Sequence, residues 1–183
     1  AWYSFFCGAR HRFGVTKGKK DRRRHVYNLT TSPTREVLHE VEKHFDLLAR
    51  AGLKLRSTQP GNLCLVVPDD SRAWARQELA HLRPARIVHV HPVSRWLWKC
   101  WGNEEMAAVI DWLQTERNVR VVVTTGPVAQ ELARAREIVR LCHTQPRFYE
   151  GNLSLGQIAA LSAESDGYFG VDTAPMHMAA AVG

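Results

Sequence analysis

No stretch of this 183-residue chain approaches the ~18 consecutive apolar residues needed to cross a bilayer. Its first residues have neither the charged start nor the apolar run of a signal peptide, so a soluble, cytosolic protein is expected. The four cysteines, Cys7, Cys64, Cys100 and Cys142, form no Cys-x-x-Cys pair and no zinc spacing, which points to free thiols rather than a disulfide framework or a metal site. No repeat of fixed period and no low-complexity tract is present, which argues against a solenoid and against disorder. Acidic residues are in deficit, 18 against 25 Lys and Arg, giving a net charge of +7 and favouring an anionic partner. Much of that excess lies in Lys17-Gly-Lys-Lys-Asp-Arg-Arg-Arg-His25, which reads as a loop. No nucleic-acid reader motif accompanies it, so no nucleic-acid partner is expected.

What is present is an alternation of strand and helix. Residues 11–15 read as a short strand. Ser32-Pro33 supplies an N-cap and a first-turn proline for a helix with Val37, Val41, Phe45 and Leu48 on one face and Gly52 as its stop. Residues 63–67 read as a strand and 71–82 as a helix, and Arg83-Pro84-Ala85-Arg86 as a domain junction. Beyond it, strands are expected at 87–91, 119–123, 148–149 and 168–171. Between them lie a helix capped by Asn103, a helix from Gly126-Pro127 to about Cys142, and a helix from Ser154 to about Glu164. The valine-rich run 119–123 suits a strand buried on both faces, and the alternation predicts a Rossmann-like, doubly wound sheet.

Ligands of such sheets bind beyond the carboxyl ends of the strands. Three loops fall there: residues 91–101, 124–131 and 172–177. Pro175 suits a first helical position, so the N–H groups of Thr173, Ala174, Met176 and His177 are expected to face an anion. Lys99 and the hydroxyls offer phosphate contacts, and a carboxylate suits ribose or sugar hydroxyls. Trp96, Trp98 and Trp101 crowd one loop, and two or more of them are expected to anchor it. His89 and His91 alternate on one strand face without a third ligand at useful spacing and read as structural, as does His39 with Glu42. A helix entered from an acid and a proline that stops at Gly183, together with a chain opening on Ala1, reads as part of a longer protein.

The segment Gly170-Val-Asp-Thr-Ala-Pro-Met-His-Met-Ala-Ala-Ala181 resembles the C-terminal signature of glycosyltransferase family 9, the lipopolysaccharide heptosyltransferases. The loop Pro92-Val-Ser-Arg-Trp-Leu-Trp-Lys-Cys-Trp101 resembles the heptosyltransferase III branch, and His39-Glu-Val-Glu42 with Asp46-Leu-Leu resembles the family's first domain. The resemblance implies an α/β, GT-B fold of two Rossmann-like domains, both incomplete here. Residues 1–84 would belong to the acceptor-side domain and 85–183 to the donor-side domain. It implies an inverting, metal-independent enzyme without cofactor at the cytoplasmic face of the inner membrane. The donor would be ADP-L-glycero-D-manno-heptose and the acceptor a heptose of the anionic lipid A core. By position, Ser94 and Lys99 would hold the diphosphate and Glu131, or Gln130 if the loop shifts by one, the ribose. Asp172 with the N–H groups of Thr173, Ala174, Met176 and His177 would take the heptose and phosphate. Lys19, Lys20, Arg22 and Arg23 would meet the acceptor. The family's general base, an aspartate in an early glycine-rich loop, has no counterpart in this sequence. A GT-B transferase with another nucleotide-sugar donor is the alternative, and after it a basic nucleic-acid-binding domain.

Overall fold

The computed structural model describes residues 2–17, 20–31, 38–54 and 61–183. The chain forms two compact units, residues 1–62 and 63–183.

In the first unit, β1 (Phe13–Val15) pairs in parallel with β2 (Leu29–Thr31), Gly14 opposite Thr30. A side chain at Gly14 would overlap the Tyr27 ring, so glycine allows the close approach. Helix α1 (Trp2–Phe6) precedes the pair and α2 (Glu40–Arg50) follows it. The basic run forms a 3-10 turn at Arg22–His25, capped by Asp21. α2 begins later than the sequence suggests. His39 is its N-cap in a reciprocal capping box, with the His39 N–H donating to Glu42 Oε2 at 2.8 Å. The expected cap Ser32-Pro33, Val37 and the candidate contact Lys19 lie outside the described residues. Val41, Phe45 and Leu48 do fall on α2, and Gly52, at φ +83°, turns the chain out of it.

The second unit is built on a parallel sheet of β3 (Arg86–His91), β4 (Val119–Thr124), β5 (Arg147–Tyr149) and β6 (Gly167–Gly170), in the order β5-β4-β3-β6. Both faces are covered, which is why β4 is almost continuously apolar. Val121 and Val123, with Val90, meet α4 (Asn103–Glu116) and α5 (Ala129–Leu141) through Met106, Ile110, Ala135 and Ile138. Val122 and Ile87 point to the opposite face. There α3 (Asp69–Leu79) and α6 (Leu155–Ala163) contribute Ala75, Leu79, Ala160 and Leu161, and α7 (Ala174–Val182) contributes Met178. Ile110 is completely buried, worth about 1.5–3 kcal/mol relative to exposure.

Several local expectations change. Residues 63–67 form no strand: Leu63, Leu65 and Val66 are exposed, only Val67 reaches the core, and no described strand pairs with them. α3 belongs to the second unit rather than to a domain ending at residue 84. Its apolar side packs on that unit's sheet, and Arg72 and Arg76 both reach Glu164 at 3.2 Å. Gly102, not Asn103, is the N-cap of α4, because Asn103 already lies inside the helix. Ser154 does cap α6, with Gln157 completing the box. Pro175 is the second residue of α7 after the N-cap Thr173 and Ala174.

Candidate functional site

The strand order fixes where a ligand can enter. From β3 the chain steps outward through β4 to β5, then returns to lay β6 on the other side of β3. α4, entered from β3, packs on one face of the sheet and α7, entered from β6, on the other, and it is between such diverging connections that open α/β sheets place a ligand crevice. The loop of residues 92–102 leaves β3 there, and residues 171–173 leave β6 to enter α7.

Lys99 and Asp172 meet in that crevice. Lys99 ends a short 3-10 turn, Leu97–Lys99, and its Nζ lies 2.5 Å from Asp172 Oδ2, across 73 residues of sequence. The second oxygen of Asp172 faces His177 Nε2 at 3.8 Å. The hydrogen bond from Lys99, then its charge, holds the Asp172 carboxyl below its usual range. Lys99 Nζ also lies 5.4 Å from the centre of the Trp98 ring. Of the crowded tryptophans, Trp101 packs edge-on against Phe169 at 5.6 Å, and its carbonyl accepts from Arg134 Nη2 at 2.6 Å. Trp96, Trp98 and Trp101 are 58%, 78% and 51% exposed, and of the three Trp101 alone packs its ring against a ring of the sheet.

Ser94 is buried, and its hydroxyl oxygen accepts from the Trp96 N–H at 3.3 Å. Glu131, at the start of α5, turns inward while Gln130 stays exposed, so the glutamate is the enclosed carboxylate of that loop. Burial pushes its carboxyl upward, with Arg95 opposing. The glutamate fits because position 126 lacks a side chain: a Cβ there would come 2.6 Å from Glu131 Oε2. Gly151, at φ +75°, presses on the same loop, where a Cβ would lie 2.5 Å from the Gly126 carbonyl oxygen. The Thr125 hydroxyl beside them is sealed from solvent without a partner.

At the head of α7, one expected anion donor is already engaged. The Met176 N–H bonds the Thr173 carbonyl at 3.1 Å in a tight first turn, which removes it from the set of Thr173, Ala174, Met176 and His177. His177 takes part through its exposed side chain toward Asp172. The structure thus joins Lys99, Asp172 and His177 directly, with Ser94 and Glu131 on the flanking loops and not bonded to that trio. In the first unit Lys20 and Arg22 are exposed, while Arg23 is held by Asp21 at 2.7 Å.

His89 and His91 are enclosed between Ser162 and Thr124, at 2.7–2.9 Å. Burial pushes His89 down to about 3 and His91 to about 4, so both are neutral near pH 7. No group of His, Cys, Asp or Glu among the described residues is placed to hold a metal ion. Arg134, Thr124 and Ser162 are not legible as site residues in the sequence, because each acts through a fold contact with no local spacing. All four cysteines are unpaired.

Comparison with known proteins gives the family. A model of "Glycosyltransferase family 9 (heptosyltransferase)" matches residues 1–183. The chain is 42% identical over 146 residues to lipopolysaccharide heptosyltransferase 3 of Escherichia coli K12, covering 79% of this chain but 41% of that protein. It thus spans less than half of this relative. Among solved structures it resembles E. coli ADP-heptose lipopolysaccharide heptosyltransferase II, with a TM-score of 0.72 at 21% identity, over 97% of this chain and 55% of that one. An E. coli heptosyltransferase solved with ADP has a TM-score of 0.58 at 20% identity, over 86% and 46%. The α/β GT-B fold of these enzymes is therefore shared by a partial chain. Matched over its whole length, the chain belongs to glycosyltransferase family 9, the heptosyltransferases.

Proposed function

We propose that this chain is part of an inverting enzyme that moves heptose from ADP-L-glycero-D-manno-heptose to a heptose of the lipopolysaccharide inner core, without a divalent metal. The observation that carries the reading is the meeting of Lys99 and Asp172 at the switch point of the second unit's sheet. In the reaction, an acceptor hydroxyl attacks the anomeric carbon as its bond to the distal phosphate oxygen breaks. The negative charge then grows on departing ADP. Lys99, the Ser94 hydroxyl and the N-terminus of α7 are suited to receive that charge, which replaces the usual task of a metal. Glu131 is suited to the ribose hydroxyls. Asp172 would repel phosphate, so its partner is the sugar: on binding it exchanges Lys99 for heptose hydroxyls. The base is assigned to a region of the longer protein outside this chain.

The similarity to a relative named as a lipopolysaccharide heptosyltransferase, and to one solved with ADP, supports donor and acceptor alike. Lys20, Arg22 and Arg23, with Lys19, form the basic segment offered to the anionic acceptor. The reading includes peripheral contact with the cytoplasmic face of the inner membrane; no described helix is long and apolar enough to cross a membrane. Calorimetry of the full-length protein with ADP-heptose and with UDP-sugars, in buffer containing EDTA, tests the reading. Saturable ADP-heptose binding is expected; preference for a UDP-sugar, or binding that disappears on chelation, would reject it.

A further inference from the structure

His89 and His91 project from the same face of β3, and the hydroxyls around them join them into one chain with a direction. The Ser162 hydroxyl donates to the Ile158 carbonyl at 3.2 Å, so its oxygen is left to accept from His89 Nδ1–H at 2.9 Å. A neutral imidazole carries one N–H, which makes His89 Nε2 an acceptor, and the Thr124 hydroxyl donates to it at 2.7 Å. With its only proton engaged there, Thr124 Oγ1 can only accept from His91, whose Nδ1 lies 2.8 Å away. With the Ser162 proton directed to Ile158, the consistent assignment puts the His91 proton on Nδ1 and leaves Nε2 a bare lone pair.

The chain begins in α6, passes across β3 and β4, and ends at that lone pair. His91 Nε2 has no hydrogen-bond partner among the described residues and is not one of the polar atoms sealed from solvent. It sits at the carboxyl end of β3, where the loop that carries Lys99 begins. His91 closes β3, its carbonyl accepts from the Val171 N–H at 3.3 Å, just before Asp172, and Ser94 follows on the same loop.

We propose that His91 is a binding residue of the nucleotide-sugar site, a neutral acceptor whose Nε2 takes a hydrogen bond from a hydroxyl or amino group of the ligand. Thr124, His89 and Ser162 are its positioning residues, because they fix the tautomer. The inference rests on the donor-site reading above. A phosphate oxygen is itself only an acceptor and is refused at this atom, so His91 selects for the part of the ligand that Lys99 does not. Burial reinforces the selection by keeping the ring uncharged at neutral pH.

Nitrogen NMR on histidine-labelled full-length protein, with calorimetry on the same samples, tests this. In the free protein His91 should show a protonated Nδ1 and a bare Nε2. ADP-heptose should move the Nε2 resonance toward its hydrogen-bonded position and leave Nδ1–H in place. If ADP alone produces the shift, the partner is in the nucleotide; if only ADP-heptose does, it is in the sugar, and either outcome supports the proposal. Thr124→Val should mix the two tautomers and weaken ADP-heptose binding by up to about tenfold, with Thr124→Ser restoring both. An Nε2–H tautomer in the free protein overturns the proposal. So does an Nε2 resonance unmoved at calorimetric saturation, or a Thr124→Val protein that keeps the wild-type tautomer. If neither ADP nor ADP-heptose binds at all, the donor-site reading falls and takes this one with it.

Discussion

Lys99 is held by a carboxylate before any phosphate arrives, and that pairing sets opposite expectations for the two partners. Removing the ammonium would delete the proposed charge-assisted contact to the diphosphate, so Lys99→Ala should weaken ADP binding to the full-length protein by about 1.5–3 kcal/mol and slow transfer. Removing the carboxylate releases the lysine. Asp172→Ala should therefore leave ADP binding unchanged or tighter while weakening ADP-heptose, as read by calorimetry with both ligands. Equal losses for the two ligands in a folded Asp172 variant would reduce the aspartate to a structural role in the loop before α7. The sequence makes these residues visible through their chemistry and their placement after strands. It does not reveal that they bind each other, because no local spacing links positions 73 residues apart.

The loops that follow β4 and β5 are built against each other through glycine. Gly151→Ala forces a Cβ onto a residue at φ +75° and to within 2.5 Å of the Gly126 carbonyl oxygen, so a loss of at least about 2 kcal/mol is expected in urea denaturation. Glu131 should lose its place at the same time, which an ADP titration of the variant would register. β3 carries a second expectation. His89 and His91 resist protonation in the fold, whereas the unfolded chain takes up protons near the ordinary 6.5. Their contribution is fully present above that pH and declines as pH falls toward about 4, with a slope of up to about 2.7 kcal/mol per pH unit for two protons. Urea midpoints measured from pH 7 to pH 4 should show this fall, and a His89→Gln, His91→Gln protein should be flatter across the same window. Among the elements, the helices and strands of the second unit are legible from period and capping residues, as Ser154 and Val119 to Val123 illustrate. Residues 63–67 mislead because the continuous apolar run Leu-Cys-Leu-Val-Val reads as a buried strand, although most of it is exposed and no described strand pairs with it. α3 reads as part of the first domain because only tertiary packing of Ala75 and Leu79 settles its allegiance.

Across the whole molecule, the +7 charge is unevenly distributed, and the basic segment in the first unit carries much of it. Replacing Lys20, Arg22 and Arg23 together by glutamate in the full-length enzyme should raise the acceptor KM much more than the donor KM. Most of that effect should come from Lys20 and Arg22, since Arg23 already answers to Asp21. Steady-state kinetics with each substrate varied in turn decides it, and equal changes would return the segment to solvent. The strand order of the second unit also has a consequence in time. A ribosome making about 5–20 residues per second needs roughly 4–15 s to travel from Lys99 to Asp172. Throughout that interval the nascent lysine has no carboxylate beside it, and β3 lacks the neighbour that closes the crevice. On the proposed donor-site reading, a nucleotide sugar cannot stabilise the emerging protein until β6 has docked, so the proposed site is among the last features of the second unit to be assembled and cannot guide the folding that precedes it.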